Sequence, residues 1–362
     1  MPAYGDRGRL PARDPGHVHR EDACPARPAR FYQSLPDQRV ECTLCPRSCV
    51  LRPGQRGSCG VRENRAGTLV TLVYGRVCSW HVDPVEKKPL FHYLPGSTAF
   101  SIATAGCNMD CRFCQNWELS QARPEEKPAE TMPPPRVVEM ARQFHCPTIA
   151  YTYTEPTVFA EYAMDTADAG HSAGLRSIVV SNGFMQHDAL VEAWGRMDAV
   201  KIDLKSMSES FYAKVVGGQL KPVLEALLAL RAMDKWIEVV YLVLPSLNDS
   251  EAELRALARW MGANLGAEVP LHFTQYHPDY LLRNLPVTPL ATLERAKAIA
   301  DAEGLHYVYI GNVPGHPAQN TYCPGCGQLL VERRGFAACR MLIRKDGTCP
   351  ACAGAIAGVW KP

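Results

Sequence analysis

The chain has 362 residues, 46% hydrophobic and 21% charged, with a formal net charge of +2. That composition is of an ordinary folded protein, with no global pull towards nucleic acid or membrane. No apolar run is long enough to span a bilayer and no signal sequence is apparent, so a reducing cytoplasm is expected. Fifteen cysteines in tight clusters then read as metal sites, not as a disulfide framework.

In chain order, residues 1–37 are rich in Pro, Gly, Arg and Ala without apolar period, and disorder is expected there. Cys24 in that stretch is read as incidental. Residues 38–96 form a small cysteine-bearing segment, 97–315 a core, and 316–362 a tail with a second group of cysteines. In the core, strands are predicted at Phe100 to Thr104, Thr148 to Tyr153, Arg176 to Ser181, Ala199 to Leu204, Trp236 to Leu244 and Leu271 to Tyr276. Tyr307 to Ile310 is a candidate seventh. Helices are predicted between them. Val137, Met140, Ala141 and Phe144 share one helical face, Ser250 and Glu253 have capping-box spacing, and Gly174 and Gly304 suit helix ends. Strand–helix alternation implies parallel strands with right-handed crossovers, in a doubly wound sheet or a barrel.

The polar clusters fall after the strands. In parallel α/β barrels the active site forms at that end. The first strand is followed by Cys107, Cys111 and Cys114, spaced C-x3-C-x2-C. Thiolates select zinc, copper(I) or iron–sulfur clusters, and three protein ligands leave one coordination position open to a reactant. Later strands end in Tyr153-Thr154-Glu155-Pro156, Ser181-Asn182-Gly183-Phe184, Lys201-Ile202-Asp203-Leu204-Lys205 and Gln275-Tyr276-His277-Pro278. Glu155 is suited to accept from an ammonium, Asn182 and Asp203 to bond hydroxyls or a carboxylate, Lys205 to pair with a carboxylate. His277 is a candidate catalytic residue.

Two further groups of cysteines flank the core. Cys42, Cys45, Cys49 and Cys59 (C-x2-C-x3-C-x9-C) fit zinc or an auxiliary iron–sulfur cluster. Cys323, Cys326, Cys349 and Cys352 have zinc-ribbon spacing, with Gly327 suited to a knuckle and Ala353 less so. Cys78, Cys146 and Cys339 are expected to be buried, unliganded thiols. Arg333, Arg334, Arg340 and Arg344 read as a solvated face.

The loop Gly106 to Asn116 resembles the cluster loop of radical S-adenosylmethionine (SAM) enzymes. With Cys42 to Arg62, Glu86 to Gly96, Tyr153 to Pro156, Ser181 to Phe184, Ile202 to Lys205, His272 to Tyr280 and Tyr309 to Asn312, the chain is similar to the radical SAM protein of the AmmeMemoRadiSam system. That family is related to the activating enzymes of pyruvate formate-lyase. The resemblance implies a partial (β/α)6-type barrel and a [4Fe–4S] cluster on Cys107, Cys111 and Cys114, with SAM completing the coordination. It also implies an aromatic bordering the adenine at Phe113, and Glu155, Asn182, Asp203, Lys205 and His277 lining the SAM and substrate cavity. Thr154-Glu155-Pro156 departs from the family's Gly-Gly-Glu-Pro. The reaction implied is reductive cleavage of SAM to a 5′-deoxyadenosyl radical that abstracts hydrogen from a substrate. The implied partners are an electron donor of flavodoxin or ferredoxin type and a Memo-like protein. Two alternatives stand beside it: a glycyl-radical-enzyme activase acting on a partner protein, and a non-catalytic zinc- or nucleic-acid-binding protein.

Overall fold

The computed structural model describes residues 26–361. Its centre is an eight-stranded sheet, built from β1 (Ser79–Pro84), β2 (Thr98–Ala103), β3 (Thr148–Tyr151), β4 (Arg176–Ser181), β5 (Ala199–Asp203), β6 (Trp236–Val243), β7 (Leu271–Gln275) and β8 (Val308–Gly311). The strands lie side by side in chain order, from β1 at one edge to β8 at the other. All seven from β2 onwards are parallel, while β1 runs antiparallel to β2. A strand order without reversal excludes the doubly wound alternative, because right-handed crossovers then put every connecting helix on one face.

The predicted strands are present within a residue or two at each end. The edge strand β1 was not foreseen: Asp83 and Pro84 break its apolar pattern, and only the pairing of Ser79 through Pro84 with Ala103 through Thr98 makes it a strand. The sheet is open and mixed, with seven parallel strands in place of the six of the expected barrel.

The helix Pro134–Gln143 presents Val137, Met140 and Ala141 to the core. Phe144 caps it and is 38% exposed, so the predicted face stops one residue short. Only half of the expected capping box forms before the helix Glu251–Asn264. Ser250 accepts from the Glu253 N–H, but the Glu253 carboxylate turns instead to Ser206, Met207 and Tyr241.

The two faces of the sheet are packed differently. One buries Phe100, Ile102, Ile149, Tyr151, Val200, Val239 and Phe273 in the same core as the helices. On the other, Ala99, Ala150, Ile178 and Ala199 meet Val85, Leu90, Tyr93 and Leu94. Ala99 and Ala199 lie at the beginnings of their strands, so residues 85–94 plug that end of the face. Glu238 on β6 holds the plug: it accepts from the N–H groups of Phe91 (2.9 Å) and His92 (2.8 Å) and pairs with His272 (2.7 Å).

The tail docks beneath the same end. Arg333 is buried, donates to the carbonyls of Phe91 (2.7 Å) and Gln319 (3.1 Å), and stacks 4.1 Å over the Phe91 ring. The solvated face expected for Arg333 is therefore corrected, although Arg334, Arg340 and Arg344 are exposed as expected. Residues 27–28 and 32–34 are strands, anchored by buried Ala29 and Phe31, so the disorder expected to residue 37 does not extend that far. Cys24 lies outside the described residues. Cys146 is buried and Cys78 half-buried, whereas Cys339 is exposed, contrary to expectation, on a tail strand with nothing packed over it.

Candidate metal and cofactor site

Parallel strands in chain order bring their carboxyl ends to one edge of the sheet. The loop after β2 carries Cys107, Cys111 and Cys114, that after β3 carries Glu155, that after β4 Asn182, and β5 ends in Asp203 followed by Lys205. The register makes Glu155 and Asn182 touch: the Glu155 carboxylate accepts from the N–H groups of Thr157 (2.9 Å) and Asn182 (2.8 Å) and from the hydroxyls of Thr157 and Ser181 (both 2.7 Å). Burial raises the Glu155 carboxyl above the usual carboxylate range, against the pull of those four donors. Asn182 donates to the Asn108 side chain (2.9 Å) and comes within 3.9 Å of the Cys107 sulfur.

The cysteine loop is held on several sides. Asp110 and Arg112 donate to the carbonyls of Val216 and Val215, Asn108 to that of Phe184 (2.7 Å), and Gly106 to that of Leu119. Arg47, from the N-terminal segment, donates to the carbonyls of Asn108 and Gly217 (both 2.6 Å) and pairs with Asp110 (3.1 Å). Gly106 has φ +97°, and a Cβ there would lie 2.5 Å from Val61 and 2.8 Å from the Cys59 carbonyl. The substitution Gly106→Ala is expected to destabilise the chain by roughly 2–5 kcal/mol, through backbone strain and overpacking. A denaturant titration of the metal-free protein measures it.

Lys205 lies beside Cys111, and its ammonium pairs with Asp203 at 3.1 Å. Lys201 pairs with the other Asp203 oxygen. Burial alone would push the Asp203 carboxyl up, but the two flanking ammonium groups bring it down to about 2. Phe113 is buried, with its ring 6.3 Å from that of Phe211. His277 follows β7 but is exposed and makes no hydrogen bond or ion pair among the described residues. The structure thus gathers Cys107, Asn182 and Glu155 on one side and Cys111, Asp203 and Lys205 on the other, and leaves His277 apart.

Four neighbours have no role assigned from sequence: Asp83, Lys88, Tyr153 and Lys201. Buried Asp83 and Lys88 form a cluster with half-buried Tyr153, in which Lys88 bonds Asp83 (2.5 Å) and Tyr153 (3.3 Å), and Tyr153 donates to Asp83. Burial pulls the Lys88 ammonium down to about 8, with Asp83 opposing. Tyr153 also adopts φ +66°, unusual for a tyrosine, just where the motif departs from glycine. Lys201 had a usable signal, since period-2 spacing puts it on the same strand face as Asp203 and Lys205. Asp83 and Lys88 had none, because long-range packing alone brings them to Tyr153.

The three groups of cysteines differ in geometry. Among the described residues, only Cys323, Cys326, Cys349 and Cys352 bring three or more ligand atoms within 4.8 Å of one another. Their sulfur pairs stand 3.6 and 3.7 Å apart, near the roughly 3.8 Å edge of a tetrahedron with metal–sulfur bonds of about 2.3 Å. This group could hold one metal ion. Cys107, Cys111 and Cys114 are spread more widely, and Cys107 already accepts the Met109 N–H at 3.4 Å. A multi-iron group with one open corner fits that spread and those soft donors; a single ion does not. At the tail site Gly327 and Ala353 have φ of +72° and +58°. Ala353→Gly is expected to stabilise the metal-loaded tail by about 1 kcal/mol, read as a rise in melting temperature.

Residues 101–258 match the family model for the radical SAM superfamily. Over 312 residues the chain is 46% identical to the uncharacterized protein MJ0808 of Methanocaldococcus jannaschii, covering 86% of this chain and 93% of that protein. It is 26% identical over 124 residues to the benzylsuccinate synthase activating enzyme of Thauera aromatica, 34% of this chain and 38% of that one. Among solved structures, a radical SAM methyltransferase from Sphaerobacter thermophilus aligns with a TM-score of 0.48 at 16% identity, covering 66% of this chain and 71% of that one. A domain of a pyruvate-formate lyase-activating enzyme from Bacteroides vulgatus aligns at 0.41 and 15%, covering 45% and 98%.

Proposed function

The chain belongs to the radical SAM superfamily of enzymes, and on that premise we propose that it cleaves SAM reductively and uses the resulting radical to take hydrogen from a substrate. The observation that carries this is the set of three widely spaced thiols on the loop after β2, with no fourth cysteine in the loop. Cys107, Cys111 and Cys114 would hold a [4Fe–4S] cluster, and the bound cluster with SAM would supply one electron and the 5′-deoxyadenosyl radical. The open sheet is read here as the partial barrel around that chemistry. Asn108 and Asn182 fix the Cys107 side of the loop, and Lys205 presents a positive charge at Cys111 that can pair with an anionic cofactor group. Glu155, shielded from water, is placed to receive an ammonium once it gives up one of its own donors. Phe113 offers an apolar wall for an adenine, and His277 stays a candidate for substrate contact from the rim. Asp83, Lys88, Tyr153 and Lys201 make the neighbouring interior polar, so a substrate with carboxylate or hydroxyl groups suits it better than an apolar one.

The tail cysteines are read as a structural zinc site. Cys323 and Cys349 pack with Phe91 and Tyr307, beneath the strand beginnings and therefore opposite the cluster loop. The electron donor is read as a flavodoxin- or ferredoxin-type protein, and a Memo-like protein is a proposed partner. No helix among the described residues is long and apolar enough to cross a membrane. A glycyl-radical activase is the second reading, favoured by the match to the Thauera activating enzyme. The non-catalytic alternative is set aside, because the chain belongs to an enzyme superfamily and Arg333 is not part of a basic surface.

The test is anaerobic incubation of the reconstituted protein with dithionite and SAM. Formation of 5′-deoxyadenosine and methionine is expected. A protein loaded with iron and sulfide that yields neither overturns the proposal. A glycine-centred radical signal on an added partner would select the second reading.

A further inference from the structure

Cys42, Cys45, Cys49 and Cys59 surround a cavity whose other walls include Leu44, Arg47, Arg62, Asn108 and Thr157. Cys42, Cys45 and Cys49 border the one connection between the paired strands Val40–Cys42 and Val50–Leu51, and Cys59 comes from the turn before the hairpin of Arg62–Arg65 with Thr68–Thr71. No three of these sulfurs lie within 4.8 Å of one another, in contrast to the tail site built from the same residue type in the same chain. One tetrahedral ion suits the tail; it does not suit this wider ring.

A second observation points to the occupant. Arg62 is 1% exposed and one of its nitrogens pairs with Glu161, but Nε and Nη1 have no hydrogen-bond partner. Buried guanidinium donors are rarely left unpaired. Arg62 lines a cavity ringed by thiols, where an anionic group with its own acceptor atoms would satisfy them. The sulfides of an iron–sulfur cluster are such atoms; a lone zinc offers none. Backbone N–H groups add to the same pattern: those of Leu44, Arg47, and Val61 with Arg62 lie near enough to Cys42, Cys45 and Cys59 respectively to favour their thiolate forms. Hydrogen bonds of this kind stabilise cluster sulfur and tune its potential.

The cavity also shares a wall with the loop of the first site. Asn108, next to Cys107, lines it, and the Cys59 carbonyl touches Gly106. Arg47 lines it too, and grips the carbonyls of Asn108 and Gly217.

We propose that Cys42, Cys45, Cys49 and Cys59 hold a second iron–sulfur cluster, ligated entirely by protein, that passes single electrons to the group on Cys107, Cys111 and Cys114. The relay half of this rests on the reading of that loop given above; the cluster half does not. An external one-electron donor, a reduced flavin or iron–sulfur protein, reduces the second cluster by one electron. That electron then moves to the first cluster, which is reduced as the second is reoxidised, and no bond forms or breaks in the transfer. Arg62 is a positioning residue here, holding the cluster's sulfides without touching substrate.

The test uses the full chain reconstituted anaerobically as wild type, as Cys42→Ser/Cys45→Ser and as Cys111→Ala, each checked for folding by circular dichroism. Iron, acid-labile sulfide and zinc are counted per chain, and electron paramagnetic resonance is recorded after reduction with and without SAM. Wild type is expected to bind about eight iron and about eight sulfide, four of each per cluster. Cys42→Ser/Cys45→Ser should lose about half the iron and keep a signal that responds to SAM. Cys111→Ala should keep about half and lose that response. Mössbauer spectra of the wild type, which need no variant, should show a second cluster indifferent to SAM. About four iron with additional zinc in the wild type overturns the proposal, as does unchanged iron in Cys42→Ser/Cys45→Ser. If instead Cys111→Ala still responds to SAM, the reading of the first loop fails, and with it the relay, while the iron count still decides the second cluster.

Discussion

Replacing Cys111 with Ala is expected to reduce 5′-deoxyadenosine formation to background, a loss of at least about a thousandfold, since the reaction requires the bound group. The reason is local. Cys111 sits at the middle of the loop, half-buried, with Lys205 as its nearest compensating charge. Burial pushes its thiol up to about 12, so it stays protonated until a metal displaces the proton. With two thiolates left, the loop has no third anchor, and neither Cys107 nor Cys114 can reach across the gap. The fold should survive, because the backbone of the loop is held by Val215, Val216 and Phe184, not by the sulfur. A chromatographic assay for 5′-deoxyadenosine, paired with a melting curve, separates the two effects. Retention of full activity would remove Cys111 from the cluster.

Glu161→Gln is expected to cost about 3–5 kcal/mol of stability at neutral pH, because it leaves the Arg62 guanidinium buried without its counter-charge. The two side chains are 1% and 4% exposed, so solvent screens the pair little. Arg62 lies on the N-terminal hairpin and Glu161 on the helix Ala160–Ser172, which packs against the sheet; the pair fastens one to the other. Burial alone would raise the Glu161 carboxyl, yet Arg62 holds it below the ordinary range. A depressed carboxylate contributes stability above the unfolded value, near pH 4, and loses it as pH falls through the folded value. The gap between wild type and Glu161→Gln should therefore be widest at neutral pH and close in acid. Denaturant melts of the metal-free proteins at pH 7 and below pH 4 measure both. A constant gap would mean that hydrogen bonding to the Arg30 N–H, 2.9 Å away, dominates over charge.

Much of the candidate site was legible in the sequence. β-branched runs marked six parallel strands and a candidate seventh, and those of β2 to β5 ended in the polar residues that the fold aligned along one edge. Local chemistry sufficed for that, since a strand's end and the loop that follows it are contiguous in the chain. The edge strand β1, the buried ion pairs and the plug under Glu238 were not legible. Arg333 shows why. By type and neighbours it reads as a surface charge, and the arrival of Phe91, some 240 positions earlier, gives its guanidinium a ring to stack on and a carbonyl to bond beside that of Gln319. Asp83, Lys88 and Tyr153 meet for the same reason, through the pairing of β2 with β1 on one side and with β3 on the other.

The amino-acid order alone determined which ligands the chain offers and how many stand in each group: three thiols on a loop with a position to spare, and two sets of four. Spacing along a chain is a property of covalent geometry, so it survives without a fold. The separation of those sulfurs in space was decided only by tertiary packing. Turns and hairpins set the distances that make one quartet close enough for a single ion and leave the other wide around Arg62, because sulfur-to-sulfur distance depends on where the backbone returns, not on how many residues lie between.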